Sequence, residues 1–455
     1  EEIFMKMPGV KDLPLRNELP DVFIFEDGAR VTSLAEWNKR KEEIAELYQY
    51  YMYGYMPDTS GESISMEYID SCKLANWSGG EIRNNAPDRK IIRLKIRKGE
   101  REGSFAISVS FPAEEIDGGL RIVPPAHAGG YPVLIVMGPL GEAQREYLNS
   151  HGYVVIEFSN NEVAADDRSR TGSFYDLYPY GVRPEEQAGT LIAWAWGVSK
   201  IIDLVEMDTA GPNELGISPE NIIVAGVSRC GKATAVAGAF DKRIKVVVPA
   251  SSGAGGIASF RYISTGRIYD YSGLKKEEFI DFLGEEEGTL NWQCLQDNPY
   301  HLVTDNEPLS NLQSYGAHWF NDTFLEFEKV DQLPFDQHFL PVLAADPDRY
   351  YFITGEVVEG DWMNPAGTYL SFLAARRIYA GLSSSDNIAI HLQALGHALT
   401  LENIKYLVEF CEEKLFGISH GIKDLNDLKI SIFEAPENYD PYFDTVKKMP
   451  VPDLK

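Results

Sequence analysis

The sequence predicts an α/β protein arranged as a three-layer sandwich: a mostly parallel central sheet with helices on both faces and an insertion that shapes a site. Two observations carry this. Six nearly continuous apolar runs, YPVLIVMG (131–138), GYVVIEFS (152–159), NIIVAGVS (221–228), IKVVVPAS (244–251), RYYFITG (349–355) and NIAIHLQALG (387–396), recur through the chain. A strand covered on both faces has no polar side to alternate with, so it reads as a solid apolar run. Helical stretches separate most of these runs, the βαβ rhythm of a parallel sheet.

The elements follow in order. Residues 1–60 hold a charged helical stretch near 33–53. SISMEYI, KIIRLKIRKG and SFAISVSFP, within 63–112, show period-two alternation and read as half-covered strands. A long helix is expected at about 185–206, another from 230, a third near 367–379 and a closing helix near 400–415. Residues 257–335 break the rhythm, being acidic, aromatic and weakly periodic, which marks an insertion bordering a site. Residues 1–120 are expected to cover or extend the core. Residues 121–455 would form the catalytic domain, the whole as one compact unit.

Composition excludes several classes. The 455 residues include 69 acids against 42 bases, a net charge of −27. Phosphate backbones demand a basic footprint, so nucleic acid is not an expected partner. No apolar run reaches the roughly 18 residues of a membrane span, so no membrane insertion is expected. Cys72, Cys230, Cys294 and Cys411 lie far apart without CxxC spacing, so neither a zinc site nor a disulfide framework is indicated. The opening EEIFMKMPGV reads as a mature or trimmed N-terminus.

The chemistry centres on Gly226-Val-Ser228-Arg-Cys-Gly231. A nucleophilic serine above a sheet needs a tight strand-to-helix turn, and glycines let the two backbones approach. The spacing after Ser228 is one residue longer than G-x-S-x-G, and a serine N-cap fits the local pattern equally well. A serine nucleophile needs a base, and the base an orienting acid. His397 lies in the loop between the last strand and the closing helix, where such a base belongs. His391 reads as core or orienting; His318 and His338 read as structural. The loop GEVVEGDWMNP offers Glu356, Glu359 and Asp361 as the acid. Glu359 is favoured from its distance past Gly355, with Asp361 as the fallback.

These residues, with GVSRCGKATAVAGAFDKRIKVVVPASSGAGG, SFYDLYPY, AWAWGVSKIID, HWFNDTF, LPFDQH, DWMNPAG and HLQALGH, make residues 130–415 resemble the glucuronoyl esterases, the fifteenth family of carbohydrate esterases. The resemblance implies an α/β-hydrolase fold and cleavage of esters joining 4-O-methyl-glucuronic acid on glucuronoxylan to lignin alcohols. It implies Ser228 as nucleophile, His397 as base and Arg229 in the oxyanion hole. It further implies Lys232 and Glu307 on the sugar hydroxyls and Trp362 along the glucuronoyl pocket. Export to the periplasm or medium, action as a monomer, and no metal or cofactor are also implied.

Two departures stand out. Many family members carry the acid where this chain has Ser251, and relatives often have a cysteine where it has Val227. The expected triad is therefore Ser228, His397 and Glu359. The rival readings are an acetylxylan or other carbohydrate esterase, and a non-catalytic carbohydrate-binding homologue.

Overall fold

The computed structural model describes residues 7–74, 81–83, 86–262, 307–356, 363–382, 384–393 and 396–419, with short pieces of 268–302 and 446–452. Nine strands form the central sheet. In chain order they are β1 (Glu62–Tyr68), β2 (Arg89–Lys98), β3 (Arg101–Ser110), β4 (Tyr131–Met137), β5 (Val154–Phe158), β6 (Ile217–Val227), β7 (Val246–Ala250), β8 (Tyr350–Glu356) and β9 (Ile388–Gln393). Across the sheet the order is β1-β2-β3-β5-β4-β6-β7-β8-β9. The pairs from β5 through β9 are parallel, and β1, β2 and β3 join antiparallel. The alternating N-terminal segments and the continuous apolar runs thus belong to one sheet.

Both faces of the parallel strands are covered, which is why their sequences do not alternate. Along β6, Ile222 and Val224 enter one hydrophobic cluster while Ile223 and Ala225 enter the other. The first cluster is closed by α1 (Leu34–Tyr48), α3 (Thr190–Ala210), α4 (Arg229–Phe240) and α5 (Pro365–Gly381). The second is closed by α2 (Glu142–Ser150) and α6 (Leu401–Phe416). Among the described residues no helix is long and apolar enough to cross a membrane.

Helix α3 is the central support of its layer. It is apolar on nearly every side, as a fully enclosed helix must be. Its two buried tryptophans still satisfy their indole N–H groups: Trp194 donates to the Ala164 carbonyl at 2.8 Å and Trp196 to Glu62 at 3.1 Å. Glu62, at the start of β1, also accepts from the buried Lys200 of α3 at 2.5 Å. The N-terminal strand is thereby tied to the core through paired charges.

The expected helix at about 185 begins instead at Thr190. Pro184–Glu186 forms a separate single turn, and Gln187 and Gly189 leave helical geometry. The reason is tertiary. The Gln187 amide donates to Asp322 at 3.1 Å, and the Gly189 N–H donates to the Tyr53 carbonyl at 2.8 Å. These contacts hold the segment straight where local propensity favours a helix.

The described part of 307–335 lies against the N-terminal region. Asn321 donates to the carbonyls of Gln49 and Tyr50, and the Phe320 ring packs between Tyr53 and Phe324.

Candidate active site

The four parallel strands β6 to β9 end at one edge of the sheet, where α/β proteins place their ligands. Register puts Val227 beside Ala250 and Ala250 beside Thr354, with Glu356 beside Gln393. Ser228, Ser251, Glu356 and the loop carrying His397 are therefore brought to the same rim.

Ser228 sits between β6 and α4 with φ 61° and ψ −125°, a region costly for any residue with a Cβ. Its N–H donates to the Ala250 carbonyl at 2.9 Å, and its own carbonyl accepts the first helical bond from Lys232, also 2.9 Å. Both flanking glycines are required by close approach. A Cβ on Gly226 would lie 2.6 Å from the Cys230 carbonyl oxygen, and one on Gly231 would lie 2.5 Å from that of Ala250. The extra residue between Ser228 and Gly231 is absorbed inside the first turn of α4. Ser228 is the N-cap of α4 by position, but no side-chain cap bond accompanies it, so its hydroxyl is not engaged in capping.

Glu356 ends β8 with its carboxylate wholly buried, and Oε1 lies 2.5 Å from His397 Nδ1. A carboxylate can only accept there, so Nδ1 is the donor, and in the neutral form of such a ring the lone pair lies on Nε2. The other carboxylate oxygen accepts from the Ser251 hydroxyl. Ser251, itself at φ 44°, stands at the end of β7 with its N–H on the Thr354 carbonyl at 2.8 Å. Glu356 was one of three acids in its loop. Glu359 and Asp361, and Trp362 beside them, lie outside the described residues.

The histidine loop is braced from both ends. The Gln393 amide donates to the carbonyls of Gly396 (2.9 Å) and Ala398 (3.3 Å). Asn403, which closes the capping box of α6 with Thr400, donates to His391 Nδ1 at 2.9 Å. Burial pushes His391 down to about 4, so it stays a neutral acceptor. It is a buried core residue of β9, 4% exposed.

Arg229 opens α4 and ion-pairs with Asp166. Its guanidinium lies over the Trp319 ring, 5.6 Å from the centroid. One turn on, the buried Lys232 ammonium donates to the Ser252 carbonyl at 2.7 Å and to Glu307 at 2.8 Å. Glu307 also accepts from the Tyr315 hydroxyl, and the Tyr315 ring meets Trp319 edge-on. Burial presses the Lys232 ammonium below the ordinary lysine value while Glu307 opposes that shift. The two residues, 75 positions apart in the chain, form one buried pair.

Two residues of this array, Asp166 and Tyr315, carried no chain signal of their own. Asp166 is one of two adjacent aspartates in AADDRSR and looks like a solvated loop acid. His318 reads as a structural histidine, and it does bond Asp166. Among the described cysteines, Cys72, Cys230 and Cys411 are free.

Comparison with known proteins bears on the family and the fold. The family model for fungal glucuronyl esterases matches residues 94–278. A multidomain esterase of Ruminococcus flavefaciens is 35% identical over 96% of this chain, and a 4-O-methyl-glucuronoyl methylesterase of Podospora anserina is 31% identical over 84%. The chain spans 51% of the former's length and 63% of the latter's. A solved glucuronoyl esterase of carbohydrate esterase family 15 from Caldicellulosiruptor kristjansonii superposes with a TM-score of 0.73 at 36% identity, covering 97% of this chain and 99% of its own. With that identity along nearly the full length of a solved member, and the α/β-hydrolase sheet in place, the chain belongs to the glucuronoyl esterases of carbohydrate esterase family 15.

Proposed function

We propose that this chain is a serine-type carboxylic ester hydrolase acting on esters of glucuronic acid, including the 4-O-methyl-glucuronate of glucuronoxylan esterified to lignin alcohols. The single observation that carries the reading is the buried Glu356 carboxylate on His397 Nδ1, at the rim shared with the strained Ser228 turn.

The mechanism is two-step acyl transfer. His397 Nε2 takes the Ser228 proton as the hydroxyl oxygen attacks the uronoyl carbonyl. Glu356 holds the ring in the required tautomer and stabilises the imidazolium that forms. Negative charge then develops on the carbonyl oxygen beside the Ser228–Arg229 turn, where a guanidinium and a helix N-terminus both favour it. His397 returns the proton to the leaving alcohol. Water, activated by the same ring, releases the glucuronate and frees Ser228. Side chains supply every step, so the scheme uses no metal or cofactor.

Specificity rests on the buried Lys232–Glu307 pair. A cation and a carboxylate held 2.8 Å apart in a site closed from solvent suit an array of sugar hydroxyls, which both donate and accept. A small acetyl group has no use for such a pair. Trp362 serves in this reading as the apolar wall under the sugar ring. The −27 charge suits a protein that works dissolved outside the cell or in the periplasm, as a monomer.

Hydrolysis of benzyl glucuronate beside an acetylated xylan tests the substrate class. Preference for the uronate ester supports the proposal. Preference for acetyl groups would make the chain an acetylxylan esterase, and no turnover of either would make it a carbohydrate-binding homologue.

A further inference from the structure

From the convergence of three donors on one carboxylate, we propose that Asp166 is a positioning residue for the reaction, fixing Arg229 in the orientation that meets the oxyanion. The inference rests on the proposed ester hydrolysis.

Asp166 lies in the loop after β5 and is largely enclosed. Its Oδ1 accepts from the Trp319 indole N–H at 2.7 Å and from His318 Nε2 at 2.9 Å. Its Oδ2 takes the Arg229 guanidinium. Two donors therefore pin one oxygen and aim the other at the cation. Trp319 acts twice, since its ring also lies under the Arg229 guanidinium. The loop itself is clamped by Arg170, whose guanidinium donates to the carbonyls of His318 (2.6 Å) and Phe320 (3.2 Å) and lies 4.1 Å from the Tyr180 ring centroid.

An arginine has four side-chain torsions and visits many rotamers when unheld. Arg229 follows directly on Ser228, so a shift of its head group by even 1 Å takes positive charge away from the developing oxyanion. A neutral side chain would have done to fill the space. The structure instead spends a buried carboxylate here, and burial alone would raise its pKa. Hydrogen bonds from His318, Trp319 and Arg229 override that and hold it at about 2. The same contacts that orient the carboxylate thus favour its charged form. The array spans three separate parts of the chain: the loop after β5, the start of α4, and 315–319. That separation explains why no local motif announces it.

The test is a cycle on a methyl glucuronate ester with wild type, Asp166→Asn, Arg229→Ala and the double variant. Asp166→Asn keeps shape and loses charge. It should lower kcat by about 10- to 100-fold with KM within about threefold, since the interaction is used in the transition state. In the Arg229→Ala background the same change should cost nothing further. A wild-type kcat in Asp166→Asn overturns the proposal. So does a loss of equal size in the Arg229→Ala background, which would show Asp166 acting by another route. Should Asp166→Asn fail to fold, Trp319→Phe carries the test: it keeps a ring and removes one donor. A three- to tenfold fall in kcat, absent in the Arg229→Ala background, then upholds the anchoring, and an unchanged kcat refutes it. A wild-type protein inactive on the ester defeats the proposed function and the anchoring together, whereas an active wild type with indifferent variants defeats the anchoring alone.

Discussion

Glu356→Gln is the perturbation that most sharply separates the geometry from its alternatives. The side chain keeps its volume, so the β8 terminus and the Ser251 contact remain packed. What changes is the 2.5 Å contact to His397 Nδ1, where a charged acceptor becomes a neutral amide. A charge-assisted bond is about twice as strong as a neutral one, and removing one partner of a buried pair costs about 3–5 kcal/mol. That cost falls on the imidazolium, which exists only once the Ser228 proton has moved. At 1.36 kcal/mol per decade, kcat should fall roughly 10²- to 10⁴-fold with little change in KM. Glu359→Gln and Asp361→Asn should each remain within about threefold of wild type, as expected for acids outside the proposed triad. The assay is steady-state hydrolysis of benzyl glucuronate, with melting temperature as the control for folding. A fully active Glu356→Gln with an inactive Glu359→Gln would refute the assignment of the acid.

Three further outcomes follow from the same geometry. Ser228→Gly and Ser228→Ala both lack the nucleophile, yet the glycine variant should be more stable by about 1 kcal/mol in urea, because only glycine relaxes at φ 61°; a glycine variant less stable than the alanine one would contradict this. Gly231→Ala should destabilise by about 3 kcal/mol, since its Cβ meets the Ala250 and Gly226 carbonyl oxygens rather than a movable side chain, and a cost below about 0.5 kcal/mol would show that α4 can slide. Stability should decline from pH 6.5 to about pH 4. Burial depresses His338 and His391 to about 4 against an ordinary 6.5, so the unfolded chain binds protons in that window that the folded protein refuses. The loss approaches about 3 kcal/mol per ring. Urea midpoints that are flat from pH 7 to 4.5 would contradict it.

The parts of the fold legible in the sequence were those where local pattern and burial agree. Continuous apolar runs marked β4 to β9 because both faces of these strands are covered, and the glycines around Ser228 marked the turn because backbone contact leaves room for nothing else. Chain order points to His397 as the proposed base, being the one histidine past the last strand and before the closing helix. The proposed acid, Glu356, was harder to read. Reading β8 as ending at Gly355 pushed attention to the following loop, whereas the strand extends one residue further and buries Glu356 itself. A carboxylate at the end of an apolar run was the available signal. The Lys232–Glu307 pair and the Asp166 anchor depend on contacts between residues 75 and 63 positions apart, which no spacing rule encodes.

The role of Ser251 follows from this. Its hydroxyl donates to Glu356, so the residue supplies a hydrogen bond where a second carboxylate would repel the first. Two acids sharing this buried spot would compete for one proton, and a serine avoids that conflict while still filling the acceptor's second oxygen.

The most direct test of the central claim is the fate of Ser228 during turnover. Rapid quenching of wild type with methyl glucuronate, followed by intact-mass and peptide analysis, should reveal a transient uronoyl adduct confined to Ser228, with methanol released ahead of glucuronate. Ser228→Ala should show neither adduct nor turnover above about 10⁻⁴ of wild type. Steady release of glucuronate by Ser228→Ala, or an adduct on any other residue, would contradict the account.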